Sequence, residues 1–445
     1  MKSLVKEEDW NCSYVHRKYR KSIGASWEKM DKGGVKGILK IARKIFEEGA
    51  VCDRCIGRQF STLCSGMGNL ARGRSIRNFL LLCREEDEDA FDDLHLDYDE
   101  VCWVCGGFFD EIDEWVERCV ERSQLYEYDT FLVGTHISGL LSETEEYLWE
   151  RVGASYAESI KADINREVGK KLSGLTEKEV DFSRPDITFI LDIPSDEVKL
   201  GIRPVFVYGR YKKYERGIPQ TRCGYTGDIY NESVEEIIAK PMLHAFKGEG
   251  EKFHGAGRED IDARMMGNGR PFIMEIRDPK RRIVNLKKIE EEIEINRGKT
   301  VEVDELRFTD KREVSSLKSL RADKTYKCEV EFEKEVKEEE IRDALKHIKG
   351  RKINQRTPTR VLHRRADLVR EREIYDVELV AYKKKRAALR IDCECGTYIK
   401  ELITGDFGRT RPNLSDLLGV KSSVKELDVI RFGRYENMDL KIGDF

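Results

Sequence analysis

The sequence lacks any apolar run of about 18 residues, the length that a membrane-spanning helix needs. It also lacks an apolar signal core, because residues 1–32 are rich in charged side chains. A strong net charge is absent as well, since 81 basic and 85 acidic side chains leave a balance of −4. These absences argue against a membrane protein and predict a cytoplasmic one, while the overall charge indicates no class of partner.

The charge is nevertheless unevenly distributed along the chain. Residues 85–100 hold ten acidic and no basic side chains, whereas residues 349–365 hold seven basic and no acidic ones. The second segment contains a proline and no apolar period, which predicts an extended basic arm or loop. Its arginines are candidate RNA contacts, namely Arg356, Arg360 and Arg364. The alternative is a solvated charged loop, which the absence of any acid makes less attractive.

Twelve cysteines in a chain without a signal core favour metal ligands or core thiols over disulfides. Four of them form two Cys-x-x-Cys pairs, at Cys52 and Cys55 and at Cys102 and Cys105. Four thiolates with this spacing predict a tetrahedral structural zinc site, which leaves no open position for catalysis. Two unrelated thiol pairs or a redox couple are the alternatives.

Basic and aromatic residues alternate irregularly over residues 203–225. Cations that can meet phosphate and rings that can stack on bases suit a non-helical RNA, so this stretch is a candidate RNA surface that includes Arg210 and Lys212. A strand whose tyrosines cover a core while its basic residues face water explains the pattern equally well.

The stretch from Gly257 to Phe272 contains three arginines and two aspartates between glycines, and an apolar strand-like run follows it. A charged, glycine-bounded loop beside a strand is a usual place for catalytic side chains. Two further elements lie downstream. Residues 324–333 alternate as a strand with Tyr326 on its apolar face, and residues 396–403 turn from strand to helix with Thr397 as N-cap and Lys400 in the first turn.

Three motifs therefore occur in one order: Gly257-Arg-Glu-Asp260, the strand tyrosine, and Gly396-Thr-Tyr-Ile-Lys400. This order resembles the pseudouridine synthases. The longer stretch from Phe253 to Phe272, together with Gly405-Asp-Phe-Gly-Arg-Thr-Arg-Pro412, closely resembles the archaeal and eukaryotic family that makes pseudouridine in the tRNA T-loop. The resemblance covers the chain from Cys52 to about residue 429.

The resemblance implies roles for individual residues. Asp260 is the essential carboxylate, Tyr326 the ring against the target base and Lys400 the cationic partner of Asp260. Arg258 fills the gap left by the flipped base, and Tyr398 joins the substrate-binding residues. The implied substrate is the T-arm of tRNA, with uridine 55 and also uridine 54 as targets. No catalytic cofactor and no obligate protein partner are implied, and a monomer is expected.

The predicted fold class is α+β in two parts. Residues 1–34 are expected to form an extension. The resemblance implies that residues 35–230 form a zinc-binding and THUMP-like α/β RNA-binding region, and that residues 231–445 form a catalytic domain with a mixed, mainly antiparallel sheet. Two other functions stay open at this stage. One is a zinc-containing RNA-binding protein without catalysis. The other is a THUMP-containing tRNA methyltransferase or thiolation enzyme, although no S-adenosylmethionine or ATP loop is recognisable.

Overall fold

The computed structural model describes residues 34–86, 91, 93–97, 100–222, 232–297, 299–363 and 365–433. Within these ranges the chain forms two compact units. The first unit contains the chain up to residue 124 and residues 130–184 and 188–201. The second contains residues 125–129 and 185–187 and the chain from residue 202 onward. None of the described helices combines the length and the apolar character that crossing a membrane requires.

The first unit is built from helices around a small sheet. The helices are α1 (Gly34–Glu47), α2 (Asp53–Arg58), α3 (Asn69–Glu86), α4 (Ile112–Ser123), α5 (Gly139–Val152) and α6 (Ile160–Thr176). The strands are β1 (Thr130–His136), β2 (Glu179–Val180), β3 (Ile187–Asp192) and β4 (Glu197–Ile202), in the order β2-β1-β3-β4. Phe131 and Phe189 are fully buried and meet edge to face between neighbouring strands. Alternate residues of β3 face the core, since Ile187, Phe189 and Leu191 are buried.

The second unit is organised around a ten-stranded mixed sheet, as predicted. Its strands are β5 (Val205–Lys213), β6 (Gly250–Gly255), β7 (Ala263–Arg277), β8 (Val301–Thr309), β9 (Lys324–Phe332), β10 (Arg351–Arg356), β11 (Val369–Lys383), β12 (Arg386–Cys393), β13 (Thr410–Arg411) and β14 (Ser422–Phe432). They follow the order β13-β10-β11-β12-β9-β14-β7-β5-β8, and β6 pairs with β7. These pairs are antiparallel except that β14 and β7 run parallel.

Helices cover this sheet and divide its core into two clusters. They are α7 (Val234–Phe246), α8 (Leu286–Arg297), α9 (Lys311–Ser319), α10 (Glu338–Lys346), α11 (Ile399–Thr404) and α12 (Leu414–Leu418). One apolar cluster is centred on β5 and β7, and the other on β9 and β12. Tyr326 packs against both clusters. This position places its ring where the two parts of the core meet.

The structure divides the chain at a different place from the predicted boundary at residue 230. The continuous part of the second unit already begins at Ile202, because β5 pairs with β7 and β8 inside the large sheet. The loop predicted in the stretch from Gly257 to Phe272 is also shorter in the structure. Strand β7 starts at Ala263, so only residues 256–262 connect β6 to β7.

The predicted basic arm is wrong in its conformation. Residues 351–356 form β10, which pairs with β11 and β13, and a 3-10 turn follows at Thr359–Val361. Acidic partners come from distant sequence, and three pairs are Lys349 with Asp376, Lys352 with Glu371, and Arg356 with Asp367. A local charge count could not reveal them. Thr397 is not the N-cap of α11 either, since Tyr398 holds that position and the Thr397 hydroxyl donates to the Glu394 carbonyl.

Candidate active site and candidate metal site

Glu259, the residue before Asp260 in the loop that joins β6 to β7, points into the core. Glu259 has only 1% of its side chain exposed, and so has its ion-pair partner Arg270, with Nε 3.0 Å from Oε2. The Tyr211 hydroxyl donates to the same carboxylate at 2.8 Å. Burial and this carboxylate raise the pKa of Tyr211 well above its ordinary value, so the hydroxyl keeps the proton that it donates. Glu259 therefore fixes the loop to β5 and β7 from below.

The loop backbone is held by the same buried group of side chains. Arg270 Nη1 donates to the Ala256 carbonyl at 2.8 Å, and Gln220 Nε2 donates to the Gly257 carbonyl at 3.0 Å. Lys213, which has no exposed side-chain surface, donates to the Ile261 carbonyl at 3.2 Å and to the Asp260 carbonyl at 3.4 Å. Each contact satisfies a loop carbonyl that a turn would otherwise leave to water. Asp260 thus stands on a fixed backbone.

The Asp260 carboxylate points to the solvent side, where two cations contact it. Arg360 Nη1 lies 3.0 Å from Oδ1, and Lys400 Nζ lies 3.4 Å from Oδ2. The Asp260 side chain keeps 28% of its surface exposed, which leaves room for a substrate. Arg360 also donates from Nε to the buried carboxylate of Glu401 at 2.8 Å. This second contact fixes the guanidinium plane against Asp260.

Lys400 is closer to a second carboxylate of the loop, that of Asp262, than to Asp260. Its ammonium lies 2.7 Å from Oδ2 of Asp262, whose side chain is 68% exposed. Burial raises the pKa of Asp262, but the contact with Lys400 outweighs that effect and the net shift is downward. Asp260 is therefore bound most directly by Arg360, with Lys400 shared between two aspartates.

Tyr326 lies near Asp260 across the sheet. Its partner in the neighbouring strand is Val429, which in turn pairs with Met265 at the start of β7. Two strand spacings of about 4.8 Å separate Tyr326 from β7. Burial raises the pKa of Tyr326, and the Cys393 thiol and Asp260 add to the effect, so the phenol stays neutral. A neutral ring can contact an uncharged base.

The other predicted substrate-binding residues have diverse surroundings. Arg258 is exposed and has no ion-pair partner within the part of the chain that the structure describes. The Tyr398 hydroxyl accepts from Arg365, and Arg356 pairs with Asp367. Arg210 donates to the Asn268 and Gly269 carbonyls, while Lys212 pairs with Glu302 and Asp304. Arg364 lies outside the described residues.

Sequence reasoning missed the anchor Glu259 and the direct contact between Arg360 and Asp260. Arg360 and Asp260 are 100 residues apart, so no local pattern joins them. A weak signal existed for the anchor, because Tyr211 and Lys213 occupy alternate positions of β5 and face one side. That alternation favours the interpretation that these two residues belong to the core over the interpretation that they form an RNA-binding surface.

The four predicted zinc ligands come together in the first unit. The Sγ atoms of Cys52, Cys55, Cys102 and Cys105 all lie within 4.8 Å of one another. Cys52 precedes α2, and the Cys55 amide donates to its sulfur at 3.4 Å, which is how the two-residue spacing directs both thiols to one point. Burial and the neighbouring thiols raise the pKa of Cys55, so four thiolates coexist there only beside a cation. The residues fit a metal ion.

Comparison with known proteins agrees with this architecture. Residues 206–432 match the family model "Pus10, C-terminal", and residues 115–192 match "Pus10 THUMP domain, archaeal". A tRNA pseudouridine synthase Pus10 of Methanothrix thermoacetophila is 41% identical over 434 residues, which is 90% of this chain and 95% of that protein. The Pus10 of Pyrococcus furiosus is 41% identical over 393 residues, covering 88% and 97% of the two chains. A solved Cbf5-Nop10-Gar1 complex shares 20% identity over 51% of this chain and 49% of its own, with a TM-score of 0.31.

The matched domains and relatives define the class of protein as the tRNA pseudouridine synthases. Within that class, the chain belongs to the Pus10 family. The family resemblance and the α+β fold expected from the sequence are therefore confirmed.

Proposed function

We propose that this enzyme isomerises uridine to pseudouridine in the T-loop of tRNA, at uridine 55 and also at uridine 54. Asp260 is the catalytic carboxylate of the proposal. The observation that carries it is the geometry around Asp260, which stands partly exposed on an anchored loop with Arg360 at 3.0 Å and Lys400 at 3.4 Å. Membership of the Pus10 family supports the reaction class.

The isomerisation breaks the bond between C1′ and N1 of uridine and forms one between C1′ and C5. N1 gains a proton and C5 loses one, so the reaction is redox-neutral and consumes no other reactant. A carboxylate at the sugar starts it in one of two ways: it attacks C1′, or it removes a ribose proton to leave a glycal. Arg360 binds one oxygen of Asp260 and Lys400 lies near the other, which orients the carboxylate toward the sugar for either route.

The substrate base must leave its stack before Asp260 can reach the sugar. Tyr326 then offers a neutral ring for the uracil. Arg258 is exposed and free of ion pairs in the described chain, so it fills the position that the base has left. Tyr398, Arg356 and Arg364 complete the proposed tRNA contacts. Arg210 and Lys212 join them only by exchanging their present partners for phosphate.

Zinc is the metal proposed for the cysteine site, because four thiolates match its tetrahedral preference. Held by Cys52, Cys55, Cys102 and Cys105, it cross-links two segments of the first unit and takes no part in the isomerisation. Metal analysis of the purified chain tests this assignment, with one zinc per chain expected and a loss in Cys102→Ser. The enzyme is proposed to act in the cytoplasm and as a monomer. Light scattering of the purified protein tests the monomeric state.

The function is tested on unmodified tRNA transcript by carbodiimide primer extension. We expect wild type to give pseudouridine in the T-loop, Asp260→Asn to give none, and Asp262→Asn to keep the activity. Product with Asp260→Asn would remove the catalytic role from Asp260. Absence of product with wild type, at full tRNA binding, would favour an RNA-binding protein without catalysis. Mapping the modified positions decides between uridine 54, uridine 55 and both.

A further inference from the structure

The loop after α11 displays one aromatic side chain entirely to solvent. Phe407 is 100% exposed, the largest exposed fraction among the big apolar residues that the structure describes. It forms no ring contact with any described residue. Burying a side chain of this size is normally favourable, so its full exposure requires a reason.

The backbone of this segment adopts a conformation that phenylalanine rarely takes. Four successive residues, Gly405 to Gly408, have positive φ angles of 80°, 45°, 56° and 83°. Glycine tolerates such angles, but Asp406 and Phe407 are strained by them. A turn that only reversed the chain would be more stable with glycine or asparagine in place of Phe407.

Contacts on both flanks hold the strained turn in place. Asp406 Oδ2 accepts from the amide and the hydroxyl of Thr359, at 2.9 and 3.2 Å. Arg409 Nη2 donates to the Thr357 carbonyl at 2.7 Å, and β13 pairs with β10 directly after the turn. The base of the loop is thus rigid, and the ring at its tip is presented outward.

This loop is connected to the proposed catalytic residues on both sides. It follows α11, which carries Lys400, and the last residue of that helix lies about 6 Å along the axis from Lys400. Thr359, which donates to Asp406 of this loop, immediately precedes Arg360, whose guanidinium contacts Asp260 at 3.0 Å. The two cations on Asp260 and the exposed ring therefore belong to one braced assembly.

A free cation accompanies the ring. Arg411 is exposed and forms no ion pair within the described ranges, and its Nη2 lies 3.1 Å from the position that a Cβ on Gly408 would occupy. The neighbouring Arg409 is occupied by Asp367 and by the Thr357 carbonyl. An exposed ring with an unpaired guanidinium beside it is the pair of groups that binds an unstacked base and its phosphate.

We propose that Phe407 stacks on an unpaired nucleobase next to the target uridine while Arg411 binds a phosphate of the same segment. This contact rests on the proposed function and names a recognition element of the same site. A stacking ring accepts any base, so the contact selects an open loop rather than a sequence.

The experiment measures the affinity of full-length protein for unmodified tRNA transcript in the Asp260→Asn background, where turnover is blocked. We expect Phe407→Ala to weaken binding about 5- to 100-fold and Phe407→Trp to stay within about twofold of the parent. Ile295→Ala, which removes another highly exposed apolar side chain on α8, is the matched control and should change nothing. Arg411→Gln should lower the slope of log affinity against log salt by about one, while Phe407→Ala leaves that slope unchanged.

Transcripts with a single abasic site, placed in turn at each T-loop position, locate the stacked base. One position should weaken binding by the parent protein and have no effect on Phe407→Ala. Binding by Phe407→Ala within twofold of the parent, or equal losses for both proteins at every abasic position, would overturn the stacking contact. Pseudouridine formation by wild type is measured separately, so failure of the proposed function shows there and not in these affinities.

Discussion

The buried and the solvent-facing sides of the loop between β6 and β7 carry the same kinds of charged group in opposite settings. Below the loop, Glu259 and Arg270 pair at 3.0 Å with 1% of each side chain exposed. Above it, Asp260 and Lys400 lie 3.4 Å apart with 28% and 22% exposed. The buried pair has no access to a substrate and satisfies loop carbonyls, whereas the upper pair keeps open surface. Adjacent carboxylates thus stand in opposite settings, Glu259 in the buried anchor and Asp260 at the proposed catalytic position.

The largest effect expected from this comparison is on stability, from Arg270→Met. The substitution removes the nearer cation of the buried Glu259 carboxylate and leaves only Lys213, with Nζ 3.9 Å from Oε1. Breaking a buried pair in this way costs about 3–5 kcal/mol of the free energy of unfolding. Lys400→Met is the matched change on the upper side, where an exposed pair contributes about 1 kcal/mol or less. Urea denaturation measures both.

Pseudouridine formation by Lys400→Met should show a loss of turnover that no large loss of stability accompanies. Lys400→Met should stay folded and lose most of its turnover, because a cation near Asp260 is gone. Equal losses of stability in the two variants would contradict the division between anchoring and reacting charges.

A smaller effect is expected from Tyr211→Phe, which removes one hydroxyl from the anchor. The free energy of unfolding should fall by about 2 kcal/mol, since a buried hydrogen bond to a carboxylate disappears. Turnover should fall while KM stays constant, because the position of Asp260 changes and the RNA surface does not. Tyr382→Phe is the control, as its hydroxyl donates to the Val336 carbonyl in the other cluster of the core. A fall in turnover in both variants would show that lost stability, rather than loop position, lowers the rate.

The smallest effect concerns the pH dependence of stability and Asp262. Its pKa is lowered in the folded protein, so its contribution is fully present above the unfolded value of about 3.9 and is lost as pH falls through the folded value. Asp262→Asn should therefore make the free energy of unfolding less dependent on pH, and only below about pH 4. The change should be less than about 1 kcal/mol because the side chain is mostly exposed. Urea midpoints between pH 7 and pH 3 test it. A pH dependence of the free energy of unfolding that differed between the two proteins from pH 5 to pH 7 would assign the titration to another group.

Sequence predicted those features whose physics is local. The alternation of β9 emerged because Cys328, Val330 and Phe332 share one buried face, and the cysteine pairs emerged because two-residue spacing matches thiolate geometry. The prediction of an extended basic arm at residues 349–365 failed because the carboxylates that neutralise it lie on β11 and in the loop before it, among them Asp367 and Asp376. The burial of Glu259 under Asp260 could not be predicted for a related reason, since Glu259 is buried only once β5 has paired with β7.

The single parallel pairing of the large sheet has a consequence for how the enzyme is assembled. Strand β14 lies between β9, which carries Tyr326, and β7, which the Asp260 loop enters. Val429 faces residues 103 and 164 positions earlier in the chain, so these contacts close late and at a high cost in loop entropy. During synthesis both parts of the sheet emerge before the strand that joins them. A chain that stops short of residue 422 would carry Asp260, Tyr326 and Lys400 and still lack the strand that aligns them.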